Sequence, residues 1–407
     1  MKTKVIDYSL FFVVLALMVF WMIMISSVSV YPSYKVTNTM VQLWKLKEPN
    51  NYFYLIRNIS HVFISMIFLA VFSKYSYKNI EKHAKKIFLG TLIFLFMVLF
   101  VWVEYNWAKW WIDIPFIPFS LQPAEFLKLW LIIYLAYFLK RKKIDISDFK
   151  EWLMPFMFIV AIIIFLLALQ PDFWTILIIV PISLVMLFAA WWNVKHIWWL
   201  ILISVVFALI IYSLWKYTWN DKNTLSYITE RFDNFISDNK TSIQNKTINF
   251  QTLQWLIAIW SGWFFWLWFW KSIQKFWYLP EVQWDFIFSV IWEELWFFWM
   301  LVLLMLFLFI AHRWLSIAQR VQDSYAKFLA IWITSWIMIQ AFVNIWVNLN
   351  IVPLTWVTLP FVSYWWSSLL SLMIWVWILL NISRDCEFEK AKTSWIWGKF
   401  FRKNRVL

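Results

Sequence analysis

Ser9–Ser26 (SLFFVVLALMVFWMIMIS) runs the width of a membrane without one charged residue. At 1.5 Å of rise per residue, a helix there covers most of a hydrocarbon core about 30 Å thick. The run is too long for a signal-peptide core and lacks a small-residue cleavage motif, so it reads as a retained first span. Similar runs follow at about 54–73, 87–103, 124–139, 152–169, 174–192, 197–215, 285–311, 328–348 and 366–381. Lipid offers unpaired backbone groups no water, so each run is expected to be helical. The expected fold is all-α, a polytopic membrane helix bundle of about ten transmembrane helices. A soluble alternative fails on composition. The chain is 63% hydrophobic and 14% charged, against roughly 45–50% and 25% in an average soluble domain.

The connecting segments orient the bundle. Lys74–Lys86 holds five lysines, Lys140–Lys150 four lysines and an arginine, and the tail from Arg384 seven basic residues. These segments, with His312–Lys327, all follow even-numbered spans, so the positive-inside rule places both termini in the cytoplasm. The domain expectation is a transmembrane unit over 1–383 and a basic cytoplasmic tail over 384–407. The exception to short connectors is 216–284, between spans seven and eight, a long extracytoplasmic loop whose apolar second half dips back toward the bilayer. The net charge of +14 lies in loops, which argues against a nucleic-acid partner. The single cysteine, Cys386, excludes an internal disulfide and reads as incidental.

Glycine and tryptophan are out of proportion. The chain has 3 glycines and 37 tryptophans, where average glycine usage of about 7% would give roughly 28 glycines. Helical membrane proteins ordinarily use more glycine, because small residues let helices approach. The simplest account is that most of these positions are glycine in the living protein, as when UGA is read as glycine. The alternative is an authentically tryptophan-rich chain, which would have to place a bulky Cβ wherever a turn needs φ > 0.

Four polar clusters interrupt the apolar pattern at or just beneath the outer side. The segment from Tyr278 (YLPEVQWDFIFSVIWEEL) puts Asp285 at the threshold of a long run, with Glu293 and Glu294 about 12–14 Å deeper. Asp285 reads either as a helix N-cap or as a functional carboxylate. The two glutamates read either as interhelical hydrogen-bonding groups or as cavity residues, since a carboxylate in lipid is costly. A second cluster comprises Glu104, Asn106, Lys109, Asp113, Gln122, Glu125 and Lys128, with Glu125 and Lys128 at ion-pair spacing i,i+3. Gln170 and Asp172 form a third. Asn344, Asn348 and Asn350, followed by the re-entrant-looking Pro353–Ser368 with Ser363 and Ser367, form a fourth. Carboxylates, amides and cations within apolar walls suit a substrate with a lipid tail and an anionic head. No GxxxxGK[ST] segment exists, even with glycines restored, so an energy-coupling ATPase is excluded.

At these clusters the chain resembles the SEDS family of shape, elongation, division and sporulation proteins, exemplified by FtsW, RodA and SpoVE. The family's QPSEFAKL is similar to Gln122–Leu129 (QPAEFLKL), its QPDFGT to Gln170–Thr175 (QPDFWT), and its NGARRWI to Asn106–Ile112 (NWAKWWI). Its long central motif resembles Gln274–Trp299 (QKFWYLPEVQWDFIFSVIWEELWFFW), and its PLPFISYGGSSLL resembles Thr358–Leu370 (TLPFVSYWWSSLL). Trp174, Trp260, Trp263, Trp292, Trp296, Trp299, Trp365 and Trp366 stand where the family has glycine. The chain departs at Trp110, where a second arginine is usual, and at Gln283 and Trp284, which replace His-Thr. Thr358–Tyr364 leans to the cell-division type, FtsW.

The resemblance implies a peptidoglycan glycosyltransferase that polymerises lipid II, the undecaprenyl-diphosphate-linked disaccharide-pentapeptide. It would work at the outer face of the bacterial cytoplasmic membrane, in division or elongation. Its partners would be a class B penicillin-binding protein and other divisome or elongasome membrane proteins. The family's essential outer-loop aspartate maps onto Asp285, the expected catalytic base. Lys109, Glu125, Lys128, Arg231, Lys275, Glu293, Ser363 and Ser367 are the expected substrate-binding residues. A divalent cation (Mg or Mn) is compatible with the diphosphate leaving group, and no other cofactor is expected. Two rivals need the same pocket without the chemistry: a lipid II flippase and a non-catalytic activator of a penicillin-binding protein.

Overall fold

The computed structural model describes residues 7–72, 75–100, 103–105, 108–113, 120–141, 151, 153–170, 172–190, 235, 246–264, 268–277 and 282–386. Its helices are α1 (Tyr8–Val28), α2 (Val30–Gln42), α3 (Phe53–Phe72), α4 (Tyr77–Val98), α5 (Pro123–Arg141), α6 (Met154–Leu169) and α7 (Phe173–Ala190), then α8 (Lys246–Phe264), α9 (Gln274–Trp277), α10 (Ile287–Arg320), α11 (Ser324–Asn348) and α12 (Trp366–Ser383). Among the described residues, α1, α3, α10, α11 and α12 are long and apolar enough to cross a membrane, and α6 and α7 are shorter apolar helices. This is a multi-pass membrane protein with a helical fold. The expected span at 197–215, nearly all of the loop at 216–245 and most of the 384–407 tail lie outside the described residues.

Several boundaries differ from the expectation for physical reasons. The first span continues as α2 after a break at Ser29, where Pro32 has no N–H to offer the turn before it. Tyr77–Lys86 is not loop but the charged start of α4, capped by Ser76, whose hydroxyl accepts the Lys78 N–H at 3.3 Å. Most of His312–Lys327 is also helical, with a turn of three residues capped by Asp323. An unexpected feature is a small antiparallel sheet between α4 and α5, ordered β1 (Val103–Tyr105), β2 (Ala108–Asp113), β3 (Ser120–Leu121).

The end carrying the basic loops is closed by charge. Lys140 on α5 bridges Glu81 at 2.8 Å and Asp323 at 2.9 Å, joining α4, α5 and α11. Arg313 on α10 pairs with Asp7 at 2.8 Å, and the Asp7 N–H donates to Ser383 Oγ of α12. Cys386 is buried there, and burial pushes its thiol up to about 11, away from the reactive thiolate. A reporter fused after Lys143 is expected to be cytoplasmic and one placed within 235–245 external; finding both on one side would refute the ten-span topology.

The backbone bears directly on the tryptophans. Among the described residues, five non-glycine residues have positive φ, and three of them are Trp44, Trp270 and Trp296. Helix α2 ends with the Lys45 N–H donating to Met40 O (2.8 Å) and the Trp44 N–H to Val41 O (2.9 Å). That is a Schellman cap, and Trp44 occupies its left-handed position with φ 59°. Helix α11 ends in the same way, with Asn350 at φ 55°, a residue that tolerates the left-handed region. Trp296 breaks α10 at φ 68°, ψ 169°, a region used almost only by glycine. Inside the bundle, the indole N–H groups of Trp21, Trp255, Trp314, Trp332, Trp336 and Trp375 are buried without an acceptor among the described residues. Buried tryptophans normally find one.

Candidate functional site

Helix α5 opens with Pro123 and places Glu125 and Lys128 one turn apart on its buried face. Lys128 Nζ reaches Glu125 Oε1 at 2.7 Å and Gln340 Oε1 of α11 at 3.2 Å, and it lies 4.9 Å from the ring centre of Trp336. Gln340 in turn donates to Thr358, at 2.7 Å to the hydroxyl and 3.1 Å to the carbonyl. Asp172 closes the third side. It is fully buried and accepts the Thr175 N–H at 3.1 Å and the Thr175 hydroxyl at 2.7 Å. Between them lies a cavity of about 20 Å³, also lined by Gln122, Trp174 and Val357. That is room for about one water.

Asp285 sits beyond this cavity wall. Helix α10 begins at Ile287 with Phe286 in the cap position, so Asp285 stands outside the cap instead of serving as one. Its carbonyl accepts the side-chain amides of Asn344 at 3.2 Å and Asn348 at 3.3 Å. Asn344 also donates to Val357 O at 2.7 Å, which ties Asp285 to the cavity lining. Ser289 Oγ donates to Asn348 Oδ1 at 2.7 Å. The Tyr364 N–H donates to Gln283 O at 3.0 Å, fixing the turn before Asp285 to the mouth of α12. Ser363 Oγ accepts the Leu359 N–H at 2.9 Å, and the buried Ser367 hydroxyl has no partner among the described residues. Trp365 is stacked 4.5 Å from Trp111 and lies 4.3 Å from Trp284, so an aromatic wall fills the turn at Tyr364–Ser367.

The remaining predicted residues lie elsewhere. Glu293 accepts the Ser272 hydroxyl and, at 3.1 Å, the Ile273 N–H. Glu294 pairs with Lys275 at 2.6 Å, and Ser27 of α1 donates to the same carboxylate at 2.8 Å. Glu293, Ser272, Glu294, Lys275 and Ser27 are all buried, so these groups hold α1, α9 and α10 together. Lone charges of this kind are tolerated in an apolar bundle only when paired and hydrogen-bonded. Gly262 on α8 lets that helix close on the same region. A Cβ there would lie 2.5 Å from Trp292 O. Lys109 lies on β2, with its side chain outside the described residues, and Arg231 lies outside them altogether. No group of three or more His, Cys, Asp or Glu positioned for a metal occurs among the described residues.

Sequence reading missed Gln340, Thr358 and Ser289. Gln340, Asn344 and Asn348 stand at i, i+4 and i+8, one face of a helix, so the spacing that would have found Gln340 was present.

A family profile described as "Cell cycle protein", covering FtsW, RodA and SpoVE, matches residues 8–387. The chain belongs to the FtsW/RodA/SpoVE family. Among similar members, a protein of Geobacter sp. (strain M18) named "Probable peptidoglycan glycosyltransferase FtsW" is 31% identical over 73% of this chain and 78% of its own length. The stage V sporulation protein E of Bacillus subtilis (strain 168) is 32% identical over 84% of this chain and 90% of its own. A solved chain from a peptidoglycan synthase complex, studied for the coordination of polymerization and crosslinking, matches with TM-score 0.73 at 21% identity, covering 93% of this chain and 98% of that one. The crystal structure of Thermus thermophilus RodA matches with TM-score 0.65 at 21% identity, covering 94% and 98%. The fold is therefore that of RodA.

Proposed function

We propose that this chain is a peptidoglycan glycosyltransferase that polymerises lipid II into glycan strands at the outer face of the cytoplasmic membrane, with both termini inside. The observation carrying this reading is that Asn344 joins the Asp285 peptide to Val357, a wall of the cavity that holds Glu125 and Lys128. The Asp285 peptide is thus linked through one side chain to the wall of the cavity that holds Lys128. The family membership and the names of its similar members point to the same activity. Such membership also supports a class B penicillin-binding protein as partner, as does likeness to a chain from a synthase complex.

Chain growth requires the 4-hydroxyl of one GlcNAc to attack the anomeric carbon of a MurNAc diphosphate. An α-linked donor becomes a β-linked product, so one displacement inverts the centre. Asp285 takes the hydroxyl proton as the new bond forms. The departing diphosphate needs cations more than an acid, because it leaves as a stable anion. Lys128 and Lys109 fit that need, with Arg231 from the outer loop, and Glu125 orients Lys128. Ser363 and Ser367 offer hydroxyls at the mouth of α12. Lys275 and Glu293 act by holding the 272–275 segment against α10, since each is buried against other partners. A divalent ion would neutralise the same diphosphate. No three carboxylates or imidazoles converge among the described residues, so most of such an ion's ligands would have to come from the substrate's own oxygens and water.

The deciding experiment incubates the purified protein and its cognate transpeptidase with labelled lipid II. Glycan ladders support the enzyme. Translocation across vesicles without ladders would replace it with a transporter, and neither outcome would leave an activator.

A further inference from the structure

Asp285 lies on the approach to α10, yet its peptide is gripped from α11. Asn344 uses its two amide hydrogens on two carbonyls, Asp285 O at 3.2 Å and Val357 O at 2.7 Å. Asn348 donates to Asp285 O at 3.3 Å and to Asn344 O at 2.9 Å, and its own oxygen accepts the Ser289 hydroxyl at 2.7 Å. Backbone carbonyls only accept, so they dictate which way both amides face. Asn344, Asn348 and Ser289 are no more than 1% exposed. One donor would be enough to satisfy a buried carbonyl, and Asp285 O has two, from side chains one helical turn apart. One of these donors also holds the opposite wall of the site. The grip therefore fixes a position as well as meeting a hydrogen-bonding need.

We propose that Asn344 and Asn348, the latter oriented by Ser289, are positioning residues for glycan polymerisation, holding the Asp285 peptide at a set distance from the 357–368 wall. The proposal rests on Asp285 being the base. A carboxylate held one ångström out of place forfeits about 10²-fold in rate while leaving substrate binding largely intact. Satisfaction of a carbonyl alone would instead show in folded yield and leave turnover per folded molecule unchanged.

The test measures polymerisation by the full-length protein with its transpeptidase across a range of lipid II concentrations, normalised to folded protein. Asn344→Leu and Asn348→Leu keep similar volume and remove the amides. Each is expected to lower kcat by about 10–100-fold with KM within about twofold. Ser289→Ala, which removes only a hydroxyl, is expected to lower kcat less, again without moving KM. Parental kcat per folded molecule in all three variants would overturn the proposal. If either leucine variant fails to accumulate, Ser289→Ala decides alone, and parental kcat there is the overturning result. Asp285→Asn in the same assay separates the two claims. An active Asp285→Asn protein removes the base on which the proposal rests, whereas an inactive one beside normal asparagine variants removes only the positioning role.

Discussion

Asp285→Asn is expected to abolish glycan polymerisation while the protein remains folded, inserted and bound to its transpeptidase. The amide keeps nearly the same size, and the Asp285 carbonyl gripped by Asn344 and Asn348 belongs to the backbone, so it survives the change. Phe286, not Asp285, occupies the cap position of α10. What the variant loses is a group able to take a proton. A general base contributes typically 10²–10⁴-fold, and the residual rate should fall by about that factor. Glu125→Gln should be milder, because that carboxylate orients Lys128 through a 2.7 Å ion pair. Near-normal ladders from Asp285→Asn would end its assignment as base. Its level in the membrane must be measured beside the activity, since a degraded variant is also inactive.

Replacing Trp44, Trp270 and Trp296 with glycine together is expected to raise thermal stability substantially. A residue with a Cβ loses about 1–2 kcal/mol in the left-handed region, and the region adopted by Trp296 costs about 1–3 kcal/mol. The sum is a large share of the 5–15 kcal/mol that holds a typical protein folded. Trp44 is the cleanest case. It is 96% exposed, so almost no burial is lost to offset the gain. The same argument extends to the native polypeptide. Peptide mass spectrometry across Gln251–Lys271 and at positions 44 and 296 should find glycine at most or all of the tryptophan sites. Tryptophan masses there, or a triple variant no more stable than its parent, would show that the chain accommodates these side chains as written.

The helical runs were legible in the sequence because unbroken apolar stretches have few alternatives in lipid. The Glu125–Lys128 pair was legible because its partners lie three residues apart. Asn344 and Asn348 were visible as polar residues in an apolar span. What they hold was not, because Asp285 lies 59 and 63 residues away from them in the chain. The Ser27–Glu294–Lys275 cluster is hidden for the same reason, with 267 residues separating Ser27 from Glu294. Lys275 was expected to meet substrate and Glu293 was open to either reading; both are buried against partners that their positions in the chain do not reveal. The sheet between α4 and α5 escaped notice because strands this short carry too little alternation to read. The break at Trp296 had no local signal, because tryptophan does not mark a positive φ as glycine does; only the family's glycine at that position pointed to it.

The buried Glu125–Lys128 pair also bears on how the protein is made. A charged residue near the centre of a membrane helix opposes insertion by about 2.5–3.5 kcal/mol, less toward the ends. Helix α5 carries two such residues in its N-terminal half and, among the described residues, is not one of the helices apolar enough to cross alone. Gln340, which receives Lys128, arrives only after about two hundred further residues have been synthesised, 212 positions along the chain. During synthesis Lys128 therefore has Glu125, but not Gln340, as a partner until α11 has been made. The polar partners of α5 are thus divided between one residue a turn away and another made much later in the chain.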